Sequence, residues 1–127
     1  MIVVSPNQIN IEETINSLRH PDCGAVMSYL GTVRSYLEDK QSKGLSFEVA
    51  DQEMETSLRK LEDDTCTRFD IKQLSIVHRT GSFNVGDEIL LIAISAGHRG
   101  PAFDACIWLI DQIKELHEKW KREELVD

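Results

Sequence analysis

Five cationic side chains are the part of this sequence best suited to chemistry: Arg34, His98, Arg99, Lys114 and Lys121. His98 and Arg99 lie in the turn Ser95-Ala96-Gly97-His98-Arg99-Gly100-Pro101-Ala102-Phe103, at the mouth of a helix expected to start near Pro101. Proline suits a first helical turn, where its missing N–H would be unpaired anyway. The free N–H groups and dipole of that helix end favour an anion, to which Arg99 can add a bidentate fork. Further along the same helix, Phe103, Ile107 and Ile110 form a stripe continued by Lys114 and Lys121. Seven residues make nearly two turns, so both amines point one way if the helix persists. A sheltered lysine has a lowered pKa and can act as acid, base or amine nucleophile. Arg34 closes an earlier strand just before a polar segment. Such a set in an acidic protein points to a small anionic substrate or a carboxylate-bearing partner, and the residues alone take the chemistry no further.

Other chemistries find little support. His78 is expected to orient a turn rather than catalyse, because no nucleophile or second metal ligand stands beside it in the sequence. There is no HExxH and no CxxC pair, so no metal is expected. No G-x-S-x-G makes Ser95 a nucleophile, and Gly24, Gly97 and Gly100 match neither a P-loop nor a dinucleotide fingerprint. The three cysteines, Cys23, Cys66 and Cys106, are odd in number and widely spaced, which fits a reducing compartment. Cys106 lies on an apolar helical stripe and is expected to be a packed thiol. A net charge of −8 argues against nucleic-acid binding. No stretch resembles a signal peptide or reaches the roughly 20 apolar residues of a membrane span, so a cytoplasmic protein is expected.

The elements that must position these groups follow from periodicity. A chain of 127 residues, 41% hydrophobic and 28% charged, is expected to form one domain over 1–127. Met1–Ser5 reads as a strand and Asn7–His20 as a helix stopped by Pro21. Gly24–Arg34 alternates as a strand, with Gly31 marking a bulge or a close approach. The polar run Ser35–Gly44 reads as a mobile loop. A short strand over Leu45–Ala50, a helix over Gln52–Phe69 and a strand over Ile71–Arg79 follow. A turn-rich segment with Gly81 and Gly86 leads to the buried strand starting at Glu88. In the last helix Ala102, Cys106, Leu109, Ile113, Leu116 and Trp120 form the main apolar stripe. The order β-α-β-β-α-β-β-α implies an α+β fold, a mixed or antiparallel sheet with helices packed on one side.

Several of these segments together resemble the large, catalytic subunits of molybdopterin synthase. Gly31-Thr32-Val33-Arg34 is similar to that family's G-x-V-R strand end. The run from Val77-His78-Arg79 to Gly86-Asp87-Glu88 resembles its V-H-R-x-G-x-L-x-x-G-[DE]-x segment. Ser95 to Arg99 with Ala102-Phe103 resembles its S-x-x-H-R-x-x-A-F turn. Asp111-Gln112-Ile113-Lys114 and Trp120-Lys121-Arg122-Glu123 resemble its D-x-[IL]-K and W-K-[KR]-E elements.

The resemblance implies a hammerhead-like α+β fold and a sulfurtransferase. Its substrate would be cyclic pyranopterin monophosphate, and its product the dithiolene-bearing molybdopterin of molybdenum cofactor biosynthesis. Sulfur would arrive as a thiocarboxylate on the C-terminal Gly-Gly tail of a small ubiquitin-like partner, with no cofactor or metal in the step. The large subunits would pair as a homodimer within a heterotetramer. Lys114 would serve the sulfur-transfer steps as acid/base or through a transient acyl link, and Lys121 would be the second pocket lysine. Arg34, His98 and Arg99 would hold the substrate. The chain departs from the pattern in several places: no tyrosine stands in Phe47–Asp51, Met54 sits one place late, and no proline precedes Trp120, so the last helix is expected to run on through Lys121. The alternative reading is a non-catalytic dimeric binding module of the same fold, taking a C-terminal tail or a phosphorylated ligand.

Overall fold

The structure, a computed structural model, describes residues 1–126. It is α+β, with elements β1 (Ile2–Ser5), α1 (Ile11–Ser17), β2 (Ala25–Thr32), β3 (Tyr36–Leu37), β4 (Lys40–Phe47), α2 (Asp51–Arg68), β5 (Gln73–Arg79), β6 (Ser82–Asn84), β7 (Glu88–Ala96), α3 (Arg99–Trp120) and β8 (Lys121–Leu125). One sheet runs β1-β5-β7-β2; β1 lies parallel to β5, and the other pairs are antiparallel. The second, antiparallel sheet is built on β4, which pairs with β3, β6 and β8.

The centre of the first sheet is β7, buried from Ile89 to Ala96. Leu90, Ile92 and Ile94 join one hydrophobic cluster with Met54 and Leu58 of α2 and with Leu109 and Ile113 of α3. Each such side chain contributes about 1.5–3 kcal/mol on leaving water. Leu45, Phe47 and Phe83 of the second sheet belong to the same cluster, so the two sheets share a core. Leu91, Ala93 and Ser95 alternate with the first set and are buried as well, and α1 packs against this strand. Cys106 lies in the core at 1% exposure, and burial raises its thiol pKa, which leaves it inert. No described helix is long and apolar enough to cross a membrane.

Three segments differ from the expectation. The helix expected over Asn7–His20 occupies only Ile11–Ser17, because Asn10 takes the cap: its side chain accepts the Glu13 N–H at 3.1 Å and donates to the Glu13 carboxylate at 2.9 Å. The polar run Ser35–Gly44 is a β-hairpin rather than a loop. Tyr36 pairs with Gln41, Glu38 turns the chain at φ 55°, and β4 continues to Phe47. Its strands are held by main-chain bonds, to which the polar side chains are indifferent. Finally, α3 stops at Trp120 and Lys121 turns extended, at φ −89° and ψ 136°. The charged run Lys121–Leu125 forms β8 against β4, a partner nearly 80 residues away in sequence that local periodicity cannot reveal.

Candidate active site

The two sheets and α3 meet at a cleft of 390 Å³. Its apolar wall comes from Leu45, Ile89, Leu90, Ile110 and Ile113. Its polar side chains include Arg34 after β2, Lys114, His117 and Glu118 on α3, and Lys121 and Glu123 on β8.

Arg34 reaches the cleft because the residue before it is anchored. Val33 is buried, its N–H donates to the Asp87 carbonyl at 2.9 Å, and its carbonyl accepts the Gly86 N–H at 2.7 Å. Gly86 makes that turn at φ 92°, a conformation glycine adopts without strain. A register shift between Gly31 and Thr32 swings the end of β2 off its ladder, as Gly31 in a strand led one to expect.

Lys121 is placed by the helix-to-strand change. The Glu48 N–H donates to the Trp120 carbonyl at 2.7 Å, and Lys121 pairs with Phe47. Its amine lies 3.4 Å from Glu123 Oε1, and the buried Ser42 hydroxyl donates to Glu123 Oε2 at 2.8 Å. The lysine is therefore tethered through a largely buried carboxylate to β4. Lys114 is exposed on α3, whereas Lys121 is half-buried. Beneath both, His117 Nε2 lies 2.8 Å from Nε2 of the fully buried His78, whose Nδ1 is 2.7 Å from the Arg79 carbonyl oxygen. Burial lowers His78 to about 4, and burial with the charges of His78, Lys121 and Lys114 lowers His117 to about 3.

Of the five cationic residues singled out by the sequence, the structure brings Arg34, Lys114 and Lys121 to one cleft and leaves His98 and Arg99 outside it. His98 caps the N-terminus of α3 and Arg99 opens the helix, while Lys114 sits some four turns on, about 22 Å along the axis. That turn is tied instead to the start of β2, where the Gly24 N–H donates to the Gly97 carbonyl at 3.2 Å. A Cβ on Gly24 would come within 2.7 Å of that oxygen. Sequence reasoning passed over Glu123 and His117. The spacing Lys114-x-x-His117-x-x-x-Lys121 was a usable signal for the second; Glu123 depends on β8 and had none. Among the described residues no group of three His, Cys, Asp or Glu side chains could hold a metal ion.

In this setting, an anion entering the cleft would meet cationic donors from three separate segments, Arg34, Lys114 and Lys121, beside an apolar wall. Comparison with known proteins gives the same setting a family. The chain is 33% identical over 122 residues to the molybdopterin synthase catalytic subunit of Pyrococcus abyssi, covering 96% of this chain and 82% of that one. It is 32% identical over 122 residues to that of Thermoplasma volcanium, covering 96% and 89%. The crystal structure of molybdopterin synthase from Staphylococcus aureus superposes with a TM-score of 0.84 at 29% identity, covering 99% of this chain and 90% of that one. The model of the family described as MoaE protein matches residues 4–116, nearly the whole chain, and the chain belongs to that family.

Proposed function

We propose that this chain is the catalytic subunit of a molybdopterin synthase, a cytoplasmic sulfurtransferase of molybdenum cofactor biosynthesis. Supporting this reading is the meeting of Arg34, Lys114 and Lys121 in one cleft of a MoaE-family chain. The substrate is cyclic pyranopterin monophosphate, its phosphate held by the cations and its ring against Leu90 and Ile110. A small ubiquitin-like partner supplies the sulfur as a C-terminal Gly-Gly thiocarboxylate. In each transfer the thiocarboxylate sulfur attacks a substrate carbon and forms a C–S bond as a C–O bond of that carbon breaks and its oxygen leaves. Water, directly or after acyl transfer to Lys114, then cleaves the acyl group, so that the acyl C–S bond is broken and the tail departs as a carboxylate. Lys114 serves either as the acid and base of these steps or as the transient acceptor of the acyl group. Lys121, tethered by Glu123, contacts the tail or the substrate.

His98 and Arg99 join this site through a second copy of the chain. Strand β2 is an outer strand of its sheet and exposes Val26 and Leu30, each at 38%. On the opposite face of the sheet, α3 exposes Phe103 at 50% and Ile107 at 59%, so apolar side chains flank the open edge on both sides. A homodimer that pairs β2 with β2 antiparallel about a two-fold axis covers this apolar surface and the open strand edge. It also brings the start of one β2, with its attached His98–Arg99 turn, to the end of the other, where Arg34 stands. The eight residues of β2 span about 24 Å, which matches the distance separating the two groups along α3.

The test is a single-turnover assay with the pyranopterin precursor and a thiocarboxylated small subunit, reading dithiolene formation. Wild type forms product, and Lys114→Ala loses turnover by at least a thousand-fold while still binding the small subunit. Complex formation without any product in the wild type would favour a binding module instead.

A further inference from the structure

The histidine pair under the cleft has no part in the sulfur transfer described above. Its hydrogen bonds fix both tautomers. A carbonyl only accepts, so His78 carries its proton on Nδ1, facing the Arg79 oxygen at 2.7 Å, and offers a lone pair at Nε2. His117 must then donate from Nε2 across the 2.8 Å contact, which leaves its own Nδ1 bare in the neutral ring. Both rings are neutral near pH 7, since burial lowers their pKa values to about 4 and about 3. Phe47 clamps them, with ring centroids 4.7 Å from His78 and 5.1 Å from His117. Nδ1 of His117 has no hydrogen-bond partner among the described residues. The only polar side-chain atom there that is both buried and partnerless is Ser95 Oγ, so His117 Nδ1 is not sealed off from solvent, and the residue that carries it lines the cleft.

The charged groups facing His117 are Lys114 and Lys121, three residues before and four after it, with Arg34, Glu118 and Glu123 also lining the cleft. The cations can only donate hydrogen bonds. The two carboxylates accept, but each repels an anion. Tyr29 and Thr32 also line the cleft, but their hydroxyls rotate and can donate as well as accept, whereas the bond to His78 fixes His117 with a bare Nδ1 and its burial keeps it from protonating into a donor.

We propose that His117 is a specificity-determining residue whose Nδ1 lone pair accepts a hydrogen bond from a ring N–H of the planar, phosphorylated heterocycle bound in the cleft. This rests on the functional reading above and extends it: the cations hold the phosphate, the apolar wall takes the ring, and His117 reads one edge of that ring. A ligand without the N–H leaves the lone pair unmatched and is rejected.

Three substitutions separate this role from a packing role. His117→Asn places an amide oxygen where Nδ1 stands and gives up the link to His78. His117→Gln keeps an amide within reach of His78 and leaves nothing at the Nδ1 position, and His117→Phe keeps only a ring. Affinity for cyclic pyranopterin monophosphate is measured by calorimetry for each, alongside the ¹⁵N resonances of the wild-type histidines. Expected are roughly ten-fold weaker binding in the Gln and Phe variants, near wild-type binding in the Asn variant, and a ligand-induced shift of the His117 Nδ1 resonance. If the Phe variant does not fold, the contrast of Asn with Gln and the wild-type spectrum still decide. Equal weakening in all variants, or unchanged affinity with an unmoved Nδ1 resonance, overturns the proposal and leaves the functional reading intact. Failure of the wild type to bind the precursor at all overturns that reading, and this proposal with it.

Discussion

At the scale of single residues, the His78–His117 pair ties stability to pH. Both folded pKa values lie below the 6.5 of a free imidazole, at about 4 and about 3. Above pH 6.5 neither folded nor unfolded chain carries the protons, and the pair's contribution is fully present. As pH falls below 6.5 the unfolded chain takes up protons that the folded chain refuses, so stability drops until the folded rings protonate near 4 and 3. His78 alone accounts for a loss on the order of 3 kcal/mol across that window. Urea unfolding at closely spaced pH values between 6.5 and 5, above the range where most carboxylates titrate, should show the decline. The slope should fall by about one proton in His117→Phe relative to wild type. An unchanged slope would mean that the ring is not held neutral. The sequence placed His78 at a strand end, where it was expected to orient a turn. Its bond to the Arg79 carbonyl agrees with a local structural role, but its partner on α3 lay beyond any local pattern.

At the scale of elements, what was legible is what repeats. The stripe Ala102, Cys106, Leu109, Ile113 and Trp120 is buried as its spacing requires, and β7 is buried as an unbroken apolar run requires. The second sheet was largely illegible because pairing between distant chain segments, not side-chain pattern, defines it. Lys121–Leu125 has the composition of a helix end and becomes a strand only against β4. Gly44 shows how tightly that sheet is drawn together. A Cβ there would collide with the Phe83 carbonyl oxygen, backbone against which no side chain can rotate away. Gly44→Ala should therefore destabilise the protein by about 3 kcal/mol, by prising β6 from β4. Gly100, in the first turn of α3, has nothing within 4 Å of its Cβ position. Gly100→Ala should stabilise by about 0.5–1 kcal/mol through the lost freedom of the unfolded chain. Chemical denaturation of the two variants measures both signs. A neutral Gly44→Ala would mean that β4 and β6 are less closely drawn than the Gly44–Phe83 contact implies.

At the scale of the whole molecule, the five cations present a puzzle that one chain does not solve. They were grouped from the sequence by chemical type, and the fold divides them between the two ends of α3. The proposed antiparallel β2–β2 homodimer would reunite them twice, each cleft then taking Arg34, Lys114 and Lys121 from one copy and His98 and Arg99 from the other. This has a consequence that a site contained in one chain would not have. A protein carrying Arg99→Ala in every copy should be impaired at both clefts, and so should one carrying Lys114→Ala. Mixed and allowed to exchange, the two variants form hybrid dimers in which one cleft draws both substituted residues and the other draws neither. The intact cleft should restore activity to about one quarter of wild type at equal mixing, since half of the dimers are hybrid and half of their clefts intact. Dithiolene formation in the mixture, against each variant alone, measures it. Recovery fixes the sharing of residues across the two-fold, because two damaged sites that were each complete within a chain could not repair one another. No recovery, with subunit exchange verified by tagging the two variants differently, would return His98 and Arg99 to the surface of a single chain and remove them from the site. Val26→Asp adds the matching loss: a charge on the apolar edge, near the start of β2, should separate the copies and abolish turnover in the same step, at little cost to a monomer in which that side chain is already exposed.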